Sequence, residues 1–526
     1  MKKNKIIILL IVILILLATI TFIYITNRSS ALGKGAYFNG EKISAKDFVI
    51  KENDDYYINY AMLVENSIID SFKDVESRYI YVFYDYHKYE INYRNKSNVF
   101  IDKENDIYIN HKYISTKTDY TINILKEGNY LYIEDVEAEG ITIDKTELRS
   151  DMYIRSDIYK KINAEEKVII YEYHDDWVYA RVKEYIGYLR LDDIKSISTK
   201  KTYRIKKLSK NKKMVVGWDL FNRKADSIAN YIYYEELDIV APTWHSLDLE
   251  EIMTDWYLDE YYNFYKNKGV EFWGVFNNSF DRDLTSYYLR DRDRRKKVIK
   301  EIIDISKKYS YDGINLDFEN LHYEDRDYLT LFIKELYIES KNNNLDFSVD
   351  ITSVSESKNW SLIYNREEIS KYSDYIILMA YDATTSPEQG IGPIASIPWV
   401  EESLKQLQKI TKSNNIILGV PFYTRLWEIN ETLDGILYDS TALRVKSADD
   451  FISNNKIPIV YDYNAKQNYG EKKIENITYK IWIEDELSLE QRIDLVNKYN
   501  LNGIAIWALD YSTDKMWNKI NDKIPK

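Results

Sequence analysis

The chain has 526 residues, 45% of them hydrophobic and 15% aromatic, which is more than one ordinary domain needs and excludes global disorder. A net charge of −13, with no long basic patch, argues against nucleic acid as a partner. No cysteine is present, and the five histidines are scattered without ligand spacing, so disulfides and thiolate chemistry are excluded and no metal or other cofactor is expected.

In chain order, residues 6–25 form an apolar run of about 20 positions, enough to span a bilayer as a helix. Lys2, Lys3 and Lys5 precede the run and only Arg28 follows closely, which places the N-terminus inside. A cleaved signal peptide has a shorter apolar core and a small-residue cleavage site, for which Ser29-Ser30-Ala31 is a poor match. The reading favours an uncleaved anchor over 1–28, with everything beyond it outside the cytoplasm on the cell-wall side.

Residues 33–147 read as short strands broken by Asn, Asp and Gly, with no catalytic constellation. The segments Tyr56-Tyr57-Ile58 and Leu131-Tyr132-Ile133 suggest two related halves. Residues 150–200 continue with short strands, an Asp-Trp pair ending at Trp177, and Gly187-Tyr188 near the close. A basic run (Lys200, Lys201, Arg204, Lys206, Lys207) then reads as a solvated linker.

From 208 to 526 apolar strand-like runs alternate with helix-length segments. The expected strands are Met214–Trp218, Leu237–Pro242, Val270–Phe276, Tyr311–Glu319, Asp346–Thr352, Tyr375–Asp382, Ile416–Pro421 and Gly503–Trp507. Leu329, Phe332, Ile333 and Leu336 follow helical spacing, and the charge run Asp291–Lys297 reads as the solvated head of another helix. Eight strands alternating with helices predict a (β/α)8 TIM barrel.

Within the fourth strand, Ile314, Leu316 and Phe318 fall on one face, and Asn315, Asp317 and Glu319 on the other. An amphipathic strand wetted on its acidic side would satisfy this pattern. In a barrel, however, the same face points inward, and residues at the C-terminal strand ends line the active site.

These residues carry a resemblance. Asp312-Gly313-Ile314-Asn315-Leu316-Asp317-Phe318-Glu319 resembles the DGxDxDxE signature of glycoside hydrolase family 18, the chitinase and endo-β-N-acetylglucosaminidase family. Met379-Ala380-Tyr381-Asp382, the segment Gly419–Arg425 and Trp507 are similar to later motifs of that family, in the same order. The strand-seven segment resembles its cell-wall and spore-cortex branch, and residues 428–485 lie where the family inserts a small α+β subdomain. Residues 150–200 resemble a bacterial SH3-like module; a generic small barrel with Trp177 as core is the other reading.

The resemblance implies a retaining, substrate-assisted glycosidase in which Glu319 is the general acid and Asp317, Tyr381 and Asp382 handle the substrate's acetamido group. Trp507, Met379, Asn315, Tyr423, Arg425 and Asn277 are implied substrate-binding residues, with Trp427, Trp244 and Trp218 as further cleft candidates. Asn315 departs from the signature, which has Asp there; an amide can hydrogen-bond Asp317 but cannot share a proton with it. The implied partner is peptidoglycan or another N-acetylglucosamine polymer. Chitooligosaccharide hydrolysis and a non-catalytic carbohydrate-binding role stay open.

Overall fold

The computed structural model describes residues 35–43, 48–199, 213–220, 231 and 233–524, apart from 95–96, 104–105, 127, 137 and 433–434. The expected membrane span at 6–25 and the basic linker residues from Lys200 to Lys207 lie outside the described residues. Among the described residues, no helix is long and apolar enough to cross a membrane. The chain divides into two units, 1–205 and 206–526.

The second unit is a closed barrel of eight parallel strands: β1 (Met214–Asp219), β2 (Ile239–Pro242), β3 (Glu271–Asn277), β4 (Gly313–Asp317), β5 (Asp346–Thr352), β6 (Tyr375–Met379), β7 (Ile416–Pro421) and β8 (Gly503–Trp507). Each pairs in parallel with the next, and β8 returns to β1. Strands covered on both faces need unbroken apolar runs, and this is what Ile416–Pro421 and Tyr375–Met379 supply; every residue in both is buried.

Alternate residues point inward and fill the barrel with Met214, Val216, Ile239, Trp273, Ile377 and Ile417, among others. Trp273 stacks on Tyr375, with centroids 5.6 Å apart. Outside, helix Arg326–Asn342 buries Leu329, Phe332, Ile333 and Leu336, as its periodicity predicts. The charged helix Arg292–Lys308 starts where the Asp291 carboxylate caps the N–H groups of Asp293 and Arg294. Its head is not wholly solvated as expected. Arg295 is buried and donates to Glu335 at 2.7 Å and to the Leu289 carbonyl, because its position in the helical turn faces the next helix.

Between β7 and β8 lies the expected insertion, a five-stranded antiparallel sheet of strands spanning 423–483 with helix Val445–Asn455. It starts at Tyr423, two residues after β7 ends, so Tyr423 and Arg425 belong to its first strand.

The first unit is β-rich throughout. Two hairpins, Val49–Asn59 and Phe100–Asn110, each run into a short helix capped by the Asn59 or Asn110 side chain. Their inner strands pair antiparallel, so the related halves centre on these Asn-capped units. The Leu131–Ile133 segment instead pairs in parallel with Gly35–Phe38. Residues 138–199 form a seven-stranded antiparallel sheet with its own core, beginning earlier than the expected 150. Trp177 is half-buried beside Arg190, outside that core.

A buried ion pair ties this sheet to the preceding strands. Glu134 accepts from both Nε and Nη2 of Arg181, at 2.6 and 2.8 Å, and from Tyr171. Removing one partner of such a pair strands a buried charge. Glu134→Ala is expected to destabilise the first unit by about 3–5 kcal/mol, read as a lowered midpoint in denaturant unfolding followed by circular dichroism.

Candidate active site

β4 ends at Asp317, so Phe318 and Glu319 have left the ladder and their backbone groups need other partners. Asn278, the residue after β3, supplies two: its Nδ2 donates to the Glu319 carbonyl at 2.7 Å, and its Oδ1 accepts from the Glu319 N–H at 3.0 Å. Thr285 anchors the same amide at 2.9 Å, and the Tyr364 hydroxyl donates to the Phe318 carbonyl at 2.9 Å. Glu319 is thereby presented at the barrel mouth from a fixed backbone.

A cavity of about 560 Å³ opens there. Asp317, Glu319, Met379, Tyr381, Asp382 and Trp507 line it, as does Trp218. Trp218 and Trp507 meet edge to face, centroids 5.8 Å apart, forming an apolar floor. Asp350, Trp360, Trp399 and Phe280 also line the cavity and were not foreseen.

Four of the expected binding residues lie outside the lining. Asn315 sits one layer deeper, where its Oδ1 accepts from Trp218 Nε1 at 2.7 Å and its Nδ2 donates to Ser348 and Asp350 at 3.0 and 2.7 Å. It was expected to hold Asp317, but residues two apart on a strand stand a layer apart, and its amide reaches β5 instead. Tyr423 acts through Asp382, donating to its carboxylate at 2.5 Å. Asp382 holds a left-handed backbone (φ 59°), a conformation that costs a non-glycine residue about 1–2 kcal/mol. Arg425 donates to Ser440, and its charge also acts on Asp382. Asn277 is buried and turned to the Ser279 N–H.

Two of the further cleft candidates are structural. Trp427 is buried with its N–H on the Gly392 carbonyl, and Trp244 packs among Tyr257, Tyr261 and Phe272.

The electrostatics centre on acids in a low-dielectric mouth. Burial, and then the charges of Asp317 and Asp382, push Glu319 well above the carboxylate range. Burial raises Asp317 to about 7 against the opposing effect of its hydrogen bond with Glu319. Asp382 can be reached from the cavity, yet crowding by protein raises it, with Tyr423 and Arg425 pulling the other way. The Oδ1 atom of Asp317 is buried and receives no hydrogen bond from the protein. The site thus pairs an acid that burial pushes toward its protonated form with a second buried carboxyl, one oxygen of which has no donor from the protein.

This is the mouth of a carbohydrate-hydrolase barrel. Residues 267–512 match the model of glycosyl hydrolases family 18, and the chain carries a glycosidase domain of that family. It is 27% identical over 271 residues to the uncharacterized glycosylase YvbX of Bacillus subtilis, covering 48% of this chain and 75% of that protein. To the cortical fragment-lytic enzyme of the same organism it is 25% identical, over 47% of this chain and 58% of the relative. The fold matches the Bacillus megaterium spore cortex-lytic enzyme SleL with a TM-score of 0.53 at 19% identity, covering 60% of this chain and 74% of that one. It also matches a Chromobacterium violaceum chitinase with a TM-score of 0.51 at 18% identity, over 60% and 99% of the two chains.

Asn278→Ala removes a buried amide and both hydrogen bonds to the Glu319 backbone. A loss of about 1–3 kcal/mol is expected, measured by thermal unfolding, together with a fall in any turnover that depends on Glu319 while cavity ligands still bind.

Proposed function

We propose that the protein is a membrane-tethered, extracytoplasmic retaining glycosidase that cleaves β-1,4 bonds after N-acetylglucosamine, with peptidoglycan as its substrate. The observation that carries this reading is the placement of Glu319, whose carboxyl burial pushes well above the usual range, next to Asp317, whose Oδ1 is buried without a donor. Such an acceptor suits an acetamido N–H, a group that N-acetylglucosamine supplies and a plain hexose does not.

Glu319 donates its proton to the glycosidic oxygen as the C1–O bond breaks, and the leaving sugar departs as an alcohol. The substrate's acetamido carbonyl oxygen attacks C1 and closes an oxazolinium, so no enzyme nucleophile is needed. Asp317, anionic, accepts the acetamido N–H and offsets the positive charge that develops there. Tyr381 and Asp382, just beyond β6, hold the same group, and Trp218 and Trp507 receive the sugar's apolar face. Glu319, now a carboxylate, takes a proton from water as that water attacks C1 and opens the oxazolinium, which restores both the acid and the configuration. The apolar run at 6–25 would hold this site outside the membrane, within reach of the wall, and the similarity to cortical fragment-lytic enzymes supports a wall glycan over chitin.

Purified full-length protein in detergent, incubated with peptidoglycan and separately with chitooligosaccharides, tests this by mass spectrometry of the products. Reducing-end N-acetylglucosamine fragments from peptidoglycan are expected, and Glu319→Gln should lower kcat by about 10²–10⁴-fold. Cleavage of chitooligosaccharides alone would move the substrate to chitin, and binding without cleavage of either would overturn the hydrolase reading.

The two acids titrate as a pair. Asp317 must be ionised and Glu319 protonated, so kcat/KM should rise as pH passes about 7 and fall where Glu319 ionises. A pH–rate profile checks this, and Asp317→Asn should abolish the acid limb along with most of the activity.

A further inference from the structure

Asp350 has no part in the chemistry just described, yet it is a buried carboxyl in the wall of the same cavity. Strands β4 and β5 pair with Asn315 opposite Ser348 and Leu316 opposite Val349. One step further along, this register sets Asp350 beside Asp317 on the inner face, at the strand spacing of about 4.8 Å. One oxygen of Asp350 is taken by the Asn315 amide at 2.7 Å. That amide cannot turn round, because Trp218 Nε1 donates to its oxygen at 2.7 Å and Ser348 takes its second N–H at 3.0 Å.

Two buried carboxylates side by side, with Glu319 above them, cannot all be ionised. The titratable groups facing Asp350 are Asp317 and Glu319 at the end of β4, Tyr364 after β5 and Tyr381 after β6.

Resting on the hydrolase reading above, we propose that Asp350 is a neutral carboxylic acid, held in place by Asn315, that donates a hydrogen bond to Asp317 and so positions the carboxylate that receives the acetamido group. In this arrangement the strand-four Asp of the family signature has become an amide, and its carboxyl partner stands on strand five. Asp350 keeps its proton through the cycle, so the three acids carry a single negative charge, on Asp317, until Glu319 gives up its proton. Asp317 Oδ1, which has no donor in the structure, carries two lone pairs, so the proposed Asp350 hydrogen bond would still leave one for the substrate. Burial, followed by the Asp317 charge, raises Asp350 well above the carboxylate range, in keeping with this role.

The full-length protein is compared with its Asp350→Asn and Asp350→Ala variants. Asn is a neutral donor of the same shape, so Asp350→Asn should keep kcat within about threefold and leave the acid limb in place. Asp350→Ala removes the donor; kcat should fall by about 10- to 100-fold with KM within about threefold. The acid limb should also move about one pH unit upward, because Asp317 loses a hydrogen bond that favours its charged form. Asp350→Asn as impaired as Asp350→Ala, or an unmoved limb in Asp350→Ala, would overturn the proposal.

A substrate-free readout separates this from the hydrolase reading. A carboxyl raised by folding stabilises the native state below its unfolded pKa of about 4, and that contribution is lost as pH climbs through its native value. Wild-type Tm should therefore fall more steeply than that of Asp350→Asn between about pH 5 and 9, and parallel curves would overturn the proposal. If wild type cleaves no glycan, the hydrolase reading fails, and the melting curves still decide the state of Asp350. They also decide it alone should Asp350→Ala not fold.

Discussion

The constraint on which the barrel mouth depends is the cost of gathering acids away from water. Two carboxylates about 5 Å apart repel by about 3 kcal/mol at an effective dielectric of about 20, before any desolvation is counted. Asp317, Glu319 and Asp350 occupy such a space, and burial is the largest cause raising each of them. The fold answers by leaving protons on the cluster, so its acids are stored in the form that a glycosidase needs from its proton donor. An amide at 315 fits the same logic: it adds hydrogen bonds to the cluster without adding another charge.

Holding that arrangement requires rigidity in an unusual place. Glu319 lies beyond the last ladder residue of its strand, where a backbone would ordinarily be free to move. Side chains from the segments that follow β3 and β5 replace the missing ladder, with Asn278 on the peptide groups of Glu319 and Tyr364 on the carbonyl of Phe318. Below, the barrel interior is apolar and close-packed from Met214 to Ile417, so the polar layer rests on a floor that does not yield. Chemistry at the top and packing beneath are parts of one column of inward-facing residues.

The barrel and the centre of its site were legible in the sequence because both obey simple periods. Buried parallel strands write themselves as short apolar runs, and Asn315, Asp317 and Glu319 share a face by alternation. What escaped lies where the period ends or was not followed across strands. Asn277 was named where Asn278 does the work, since alternation stops counting once the chain leaves the sheet. Asp350 could have been found: Ser348 and Asp350 alternate with Phe347, Val349 and Ile351 just as the acids of β4 alternate with its apolar residues. Trp427 and Trp244 were indistinguishable from cleft tryptophans because residue type alone does not say which side of a wall a ring occupies. In the first unit the strands were legible but the boundary near 138 was not, because strand Ala138–Thr142 is too short and too small in its side chains to signal itself.

The insertion after β7 bears on the site through one bond. Its first strand begins at Tyr423, whose hydroxyl meets Asp382 at 2.5 Å, and Arg425, two residues on and therefore on the same face, adds its charge to the same carboxylate. Asp382 holds a left-handed backbone, a conformation its short polar side chain tolerates, and the Tyr423 bond fixes the direction of its carboxylate there. Strand Tyr423–Thr432 is in turn fixed by ten residue pairs to Gly435–Arg444 and by a second ladder to Ile477–Ile483. A change in the packing of that sheet would therefore reach Asp382 without touching β4, so this wall of the cavity could be tuned separately from Glu319.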